Sequence, residues 1–382
     1  MLSRSGATHV IALLLAGCAS NARPASSEHH AVEVAEPAPL LESLISDEPD
    51  DIVTLPGESG PVERVLFGWH AGNWGYLRYF GSVMRAVVSD ARLLIAVESL
   101  SEQRALMEAL TEQRVDLSRV DFVIHPLDSM WIRDYGPVLV RTREGGYRVM
   151  DLPYHADRVG DDAYPARFAA HEGLPISRPP IAMEGGHLQS DGTGRCVVSD
   201  DVMRRDPASA PSEEGVRRVL RAYFGCASVT IVPRLYAEET GHVDVFAYIT
   251  GPGRVLVGTY RREDDLVNSR RLDRSAALLE EAGFEVTRVP MPGNSRRRVF
   301  RTYTNVLVLD RSVLVPVFRN DREHEQRALR AIAASFPGRR LVPIRADGVM
   351  GLAGALHCTA IAIPPLQPRY ARVPRRPARR RG

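Results

Sequence analysis

Lysine is missing altogether: all 49 basic side chains of the 382-residue chain are arginine, set against 47 acids. So complete an absence reflects G+C-rich codon usage rather than forked guanidinium chemistry wanted at 49 places, and the arginine count carries no case for a nucleic-acid partner. Aromatic residues are sparse at 7%, and there are four cysteines, Cys18, Cys196, Cys226 and Cys358. No apolar run approaches the roughly 20 residues of a membrane-spanning helix. No Gly-x-Gly-x-x-Gly or Walker loop stands at a strand end, which argues against a nucleotide cofactor. No His-x-x-x-His or Cys-x-x-Cys pair presents two metal ligands from one element. What is present, 44% apolar and 25% charged residues, suffices for a sizeable core and excludes a disordered or fibrous chain.

Charge is unevenly spread. Seven arginines follow Pro368 and one, Arg4, precedes Cys18, so the stretch between holds 41 arginines and 47 acids, a balance of about −6. Residues 1–18 read as a signal peptide with the apolar run Val10 to Leu15, too short to span a bilayer. Its end, Leu15-Ala16-Gly17-Cys18, resembles a bacterial lipobox, which implies lipidation of Cys18 and attachment to the bacterial cell envelope on its periplasmic or extracellular face. Residues 19–60, rich in Ala, Pro, Ser, Glu and Asp, read as a flexible tether. The pair His29-His30 is incidental there. Residues 367–382 read as a basic arginine-rich tail, expected from composition to be disordered, whose charge suits anionic lipid headgroups.

Residues 61–366 alternate β-rich runs with amphipathic helices and read as one domain. Strands are expected over 62–69, 93–97 and 120–125, with helices over 76–88 and 101–113 between them. Hairpins follow at 138–141 with 147–152 and at 182–189 with 195–199, each joined by a Gly-rich turn. Helices at 161–172 and 212–224 follow their hairpins, and the strand 229–233 returns after the second. The grammar recurs in 243–249, 255–260, a helix over 266–282 and 285–289, then in 303–309, 313–317, a helix over 322–336 and 341–344. Hairpin, helix and strand in succession suggest a radial or barrel-like α/β arrangement rather than a doubly wound sheet.

Polar clusters punctuate these units: Trp131-Ile132-Arg133-Asp134-Tyr135-Gly136-Pro137, Glu184-Gly185-Gly186-His187, Gly241-His242-Val243-Asp244 and His357-Cys358-Thr359. Singly each is ordinary turn or core chemistry. Together they supply a thiol, imidazoles and carboxylates, the parts needed to attack a cationic carbon. With Asp191-Gly192-Thr193-Gly194 and Tyr303-Thr304-Asn305 they occur in the order seen in the guanidino-group-modifying deiminases. The chain from about Pro61 to Pro364 resembles the family of agmatine deiminases and secreted bacterial peptidyl-arginine deiminases.

That resemblance implies a five-bladed, pseudo-symmetric α/β-propeller, the pentein fold, and neither metal nor cofactor. It implies hydrolysis of a guanidino group to a ureido product and ammonia, with Cys358 as nucleophile, His242 as proton donor and acceptor, and Asp134 and Asp244 gripping the guanidinium. Glu184 would orient His242, Asn305 the thiol or substrate, and Trp131 would contact the substrate. Arg158, in the stretch Tyr154 to Asp162, is the candidate for meeting a substrate carboxylate, as expected for an arginine-containing peptide; a small guanidine such as agmatine, converted to N-carbamoylputrescine, is the alternative. His187 stands where the family commonly has Asn or Ser, and Ala353-Gly354-Ala355-Leu356 is less Gly-rich than the family stretch. Two readings of other classes stay open: a metallohydrolase built on His125, His187 and His242, and a catalytically silent binding lipoprotein. Cys196 and Cys226 either pair in an oxidising compartment or remain buried thiols.

Overall fold

A computed structural model describes residues 49–205, 211–292 and 299–366, all within the unit Ala38–Gly382. Cys18 and the signal peptide, residues 19–48 of the expected tether and the tail 367–382 lie outside the described residues.

Among the described residues the strands form five separate sheets, and one plan serves all five. A first strand runs antiparallel to a second, a helix follows, and a third strand returns parallel to the second. The plan is Val138–Thr142, Tyr147–Met150 and Ile176–Ser177 in one blade, and Leu188–Ser190, Arg195–Ser199 and Ser228–Val232 in the next. It repeats in Ala247–Gly251, Arg254–Thr259 and Glu285–Pro290, and in Leu307–Val308, Ser312–Val317 and Arg340–Arg345. The remaining blade joins the ends of the domain: Ile361–Ile363 lies antiparallel to Arg64–Trp69, which pairs parallel with Arg92–Val97 and, beyond it, Val120–Ile124. These are the five blades expected.

Local sequence explains the elements. In the helix Leu77–Val87, Phe80, Val83, Met84 and Val87 recur at helical spacing and are fully buried. The helix Glu213–Phe224 starts where Ser212 Oγ accepts the Gly215 N–H at 3.1 Å. Central strands such as Arg64–Trp69 and Ser312–Val317 are apolar on both faces because helices or neighbouring blades cover both. Each buried Val, Leu or Phe side chain contributes roughly 1.5–3 kcal/mol, so most of the stability resides in these blade cores rather than at their polar centre.

Three expectations are corrected. The first strands placed at 182–189, 243–249 and 303–309 begin later, at Leu188, Ala247 and Leu307. The preceding residues, including Val243, Val245, Phe246, Tyr303 and Val306, are as buried as strand residues, which is why their pattern reads as β. Their backbones turn instead: the Val243 N–H donates to Gly186 O at 3.0 Å, the His187 N–H to Glu184 O at 3.0 Å, and the Val306 N–H to Thr304 O at 2.9 Å.

A fourth correction concerns the tether assigned to residues 19–60. Ile52–Thr54 is a strand, antiparallel to Val138–Thr142, Leu55 is buried and Gly57 lies against the backbone of Asp191 and Gly192. Two apolar side chains in an acid- and Pro-rich stretch anchor it, too few to register in composition.

Candidate active site

The turns that displaced the expected strands are the site. Each blade sends one polar residue from just before its first strand: Asp134 precedes Val138, Glu184 precedes Leu188, Asp244 precedes Ala247, Asn305 precedes Leu307 and Cys358 precedes Ile361. All five are buried, with His242 and His357 beside them.

Glycine makes the approach possible at two points. A Cβ on Gly186 would fall 2.4 Å from His242 Nδ1, so only glycine lets the imidazole lie across this turn. A Cβ on Gly354 would fall 2.2 Å from Trp131 Cζ3, so the indole rests directly on the backbone leading to Cys358. Arg133 does not pair with its neighbour Asp134. It turns away to Glu58, with bonds of 2.9 and 3.2 Å, and donates to the carbonyls of Ala360 at 3.0 Å and His357 at 3.4 Å.

Asp134 and Asp244 flank His242, whose Nδ1 lies 3.8 Å from Asp134 Oδ1 and 3.9 Å from Asp244 Oδ1. Both of these carboxylate oxygens are buried and accept no hydrogen bond. Burial and the neighbouring Asp244 push the Asp134 carboxyl well above the ordinary carboxylate range. Burial acts on Asp244 too, but His357, with Nδ1 at 2.6 Å from Oδ2, joined by His242 and Arg133, holds Asp244 below its ordinary value. The Cys358 thiol is pushed far up by burial and by the two carboxylates. Its Sγ accepts from Asn305 Nδ2 at 3.3 Å and lies 3.8 Å from Asp244 Oδ2.

On the other side, Glu184 Oε2 is 2.6 Å from His242 Nε2, and its Oε1 meets Arg205 and, at 3.3 Å, His155 Nε2. Burial first and His187 second hold His242 well below the usual histidine range, so the neutral ring donates from Nε2 to Glu184 and turns its Nδ1 lone pair toward the two aspartates. His187, edge-on to His242 at 4.4 Å, accepts the Glu184 N–H at Nδ1 (3.1 Å), which leaves Nε2–H to donate to Asp201 at 3.2 Å. Arg158 Nη1 donates to the Tyr154 hydroxyl at 3.1 Å, close enough that its charge and that of Arg205 draw the Asp134 carboxyl down against burial.

Every motif residue singled out for the guanidine site is therefore brought together: Cys358, His242, Asp134, Asp244, Glu184 and Asn305, with Trp131 and Arg158 around them. Four residues were missed. Glu58 sits in a Gly/Pro turn with no motif signal, and Arg205 in a connecting loop with none; His155 lies in the stretch Tyr154 to Asp162, where Arg158 alone was singled out. His357 was visible only as the neighbour of Cys358. His125, needed for the metallohydrolase reading, bonds Gly160 O at 2.8 Å and stacks edge-on with Tyr164 instead. Glu184, His187 and His242 do offer ligand atoms within 4.8 Å of one another, but both His187 nitrogens are engaged and Arg205 occupies Glu184, so a cation would have to displace a guanidinium.

The cysteines Cys196 and Cys226 are joined as a disulfide with Cα atoms 5.7 Å apart. It ties a strand of the Glu184 blade to the turn after the helix Glu213–Phe224.

Residues 54–364 match the family described as Porphyromonas-type peptidyl-arginine deiminase. A Photobacterium profundum protein provisionally named an agmatine deiminase is 23% identical over 367 residues, spanning 85% of this chain and 99% of its own. Among solved structures, the agmatine deiminase of Enterococcus faecalis superposes with a TM-score of 0.70 at 19% identity, covering 81% of this chain and 95% of its own. That of C. jejuni gives 0.69 at 16%, covering 81% and 95%. At such identities the structures speak to the fold, the pentein propeller. The family match reaches further: this chain belongs to the Porphyromonas-type peptidyl-arginine deiminase family, and its enzyme class is that of the deiminases, hydrolases of amidine C–N bonds.

Proposed function

We propose that the chain hydrolyses the guanidino group of an arginine-containing peptide or free arginine, outside the cytoplasm, through a covalent intermediate on Cys358. The observation that carries this reading is the pair of buried, unbonded oxygens, Asp134 Oδ1 and Asp244 Oδ1, on either side of His242 Nδ1 and beside the thiol. Buried acceptors without donors are costly, and a planar guanidinium supplies N–H donors in the matching fork.

The charges suggest the order of events. In the free enzyme Asp134 and Cys358 are held protonated and His242 neutral. A guanidinium entering between the aspartates replaces the Asp134 proton, and its positive charge offsets the carboxylates that disfavour thiolate. The thiol proton passes to His242, and Sγ attacks the guanidino carbon to give a tetrahedral adduct. His242 then protonates one nitrogen, which leaves as ammonia, and a thiouronium remains on Cys358. Water attacks that carbon as His242 accepts one of its protons, the C–S bond breaks, the remaining hydroxyl proton restores the thiol as the ureido product leaves, and His242 gives its proton through solvent to the released ammonia. The sum is guanidinium plus water giving urea derivative plus ammonium.

Arg158 supports a carboxylate-bearing substrate, since a cation bonded, among the described residues, only to the Tyr154 hydroxyl matches the carboxylate of arginine and opposes a cationic amine. The Cys196–Cys226 disulfide suits an oxidising compartment, as does the lipobox-like sequence ending at Cys18. Agmatine is the second reading, favoured by the names of the relatives above. The test is ureido formation from arginine, arginine peptides and agmatine, with Cys358→Ser as control. We expect peptidyl or free arginine to be preferred and the serine variant to lose all turnover while melting normally. Turnover by that variant would dismiss the covalent route, and agmatine as the better substrate would favour the second reading.

A further inference from the structure

We propose that Glu58 and His357 are positioning residues, which through a buried chain of alternating charges fix the orientation and charge of Asp244 for the substrate guanidinium. The inference rests on the reading of Asp244 given above.

The chain is continuous. Glu58 accepts two bonds from Arg133, at 2.9 and 3.2 Å, and its Oε2 lies 2.6 Å from His357 Nε2. His357 Nδ1 lies 2.6 Å from Asp244 Oδ2. An ionised carboxylate only accepts, so an imidazole bonded at both nitrogens to two carboxylates carries both protons and is cationic. Glu58, Arg133, His357 and Asp244 therefore sum to zero charge in a place where any unmatched ion would be costly. Burial lowers the His357 pKa and Arg133 adds to that, but Glu58 and Asp244 together raise it above the ordinary histidine value. Burial likewise pushes Glu58 up, yet Arg133 and His357 hold it down at about 2.

The geometry converges on one atom. With Oδ2 of Asp244 taken by His357, only Oδ1 is left facing His242. The same residues grip the nucleophile's loop: the His357 N–H donates to Asn305 Oδ1 at 2.9 Å, Asn305 donates to the Asp244 carbonyl at 3.2 Å, and Arg133 binds the carbonyls on both sides of Cys358. Glu58 thus acts on the pocket across 299 residues of sequence, from a strap that reaches back past the propeller's first blade strand. A cavity of about 830 Å³ is lined by both Glu58 and Arg133. Small anions can therefore reach the position of the Glu58 carboxylate.

The experiment uses the full chain and the guanidino substrate that the wild type turns over. Glu58→Gln keeps the shape but not the charge, so His357 loses its Nε2 proton and Asp244 its cationic partner. The expected result is a KM raised roughly 10- to 100-fold with a smaller change in kcat. The acid limb of kcat/KM should move to higher pH. The groups facing Asp244 are His357, His242, Asp134, Cys358, Tyr248 and Glu238, and those facing Glu58 are Arg133, His357 and Tyr248, so the shift is read with Asp134→Asn in parallel to separate the two aspartates. Glu58→Asp should recover much of the loss. In Glu58→Ala, formate should restore kcat/KM saturably, a response that a merely structural contact would not give.

Glu58→Gln with wild-type KM and pH profile overturns the proposal. So does an activity loss in Glu58→Ala that follows the melting temperature and ignores formate. Where the wild type turns over no guanidino compound, the proposed reaction fails first. Arginine binding to Cys358→Ser, with and without Glu58→Gln, then decides: weakened binding sustains the positioning role, and equal binding, or none in either protein, removes it.

Discussion

Asp134 and Asp244 enter the same pocket from equivalent positions in two blades that flank the Glu184 blade, end beside the same imidazole nitrogen, and are both buried, yet their surroundings treat them in opposite ways. Behind Asp244 stand His357, Glu58 and Arg133 in hydrogen-bonded sequence, and the carboxylate is held ionised. Behind Asp134 no cation is bonded among the described residues. Arg205, Arg133 and Arg158 act only through space, and burial with the Asp244 charge pushes its carboxyl well above the ordinary carboxylate range. Identical side chains thus serve as a fixed anion and as a proton that the substrate can displace, the usual outcome when two carboxylates share one site.

The comparison is most severely tested by removing each charge. Asp244→Asn leaves the His357 imidazolium buried against Glu58 alone, and both functions of the residue go: we expect kcat/KM to fall by about 3–5 kcal/mol in activation free energy, with a loss of folding stability as well. Asp134→Asn should cost catalysis about 2–4 kcal/mol because one arm of the guanidinium grip is gone, but stability should rise.

The signs follow from linkage. A carboxyl whose folded pKa is raised is neutral in both states at low pH, and costs stability once the unfolded chain ionises above its ordinary value of 3.8. The Asp134→Asn gain should therefore appear at neutral pH and vanish below about pH 4. Asp244, with its pKa depressed, contributes stability above 3.8 that fades as pH falls through its folded value. The Asp244→Asn loss should shrink in acid accordingly. Thermal melting of both variants from pH 3 to pH 8 checks the mirror image, and parallel curves would erase the distinction between the two aspartates.

A third effect separates them during binding. If Asp134 is protonated in the free enzyme, the arriving guanidinium should expel a proton, so affinity rises with pH through the raised Asp134 range. Calorimetry in buffers of different ionisation enthalpy reads the proton directly. Release should disappear in Asp134→Asn and persist in a variant altered on the Asp244 side. No release from the wild type would mean that Asp134 is already ionised.

How much of this could be read without coordinates follows from where each partner sits. Asp134, Glu184, His242, Asp244, Asn305 and Cys358 lie in short motifs whose neighbours, Gly186 above all, are there to admit them, so chemistry and spacing coincide along the chain. The recurrence of hairpin, helix and strand made a radial or barrel-like arrangement legible, and the number of blades came with the family resemblance. What supports the motifs was not. Glu58 is 299 residues from His357, and Arg205 reaches Glu184 from a loop 21 residues on. A buried ion chain has no periodicity, and one acid in a Pro/Gly turn looks like solvent-facing polarity. The strand starts were misplaced for a related reason: residues such as Val243 and Phe246 are apolar because they wall the site, which gives them strand composition in turning backbone.

The smallest effect expected concerns the outer wall, which only the Asp134 side possesses. Arg158 donates to Tyr154 and lies over its ring at 5.7 Å, half-buried, so its charge is partly screened and its interaction with a substrate carboxylate contributes about 1 kcal/mol. Arg158→Gln should raise KM for free or C-terminal arginine roughly fivefold, leave kcat nearly unchanged, and leave agmatine unaffected or slightly improved. It should also move the proton release of Asp134 to slightly higher pH, because one of the cations that draws that carboxyl down is gone. The two readouts separate the roles. A shift in proton release without a change in KM for arginine would make Arg158 an electrostatic neighbour of Asp134 only. An equal rise in KM for arginine and agmatine would assign it to the pocket's shape rather than to the substrate's carboxylate.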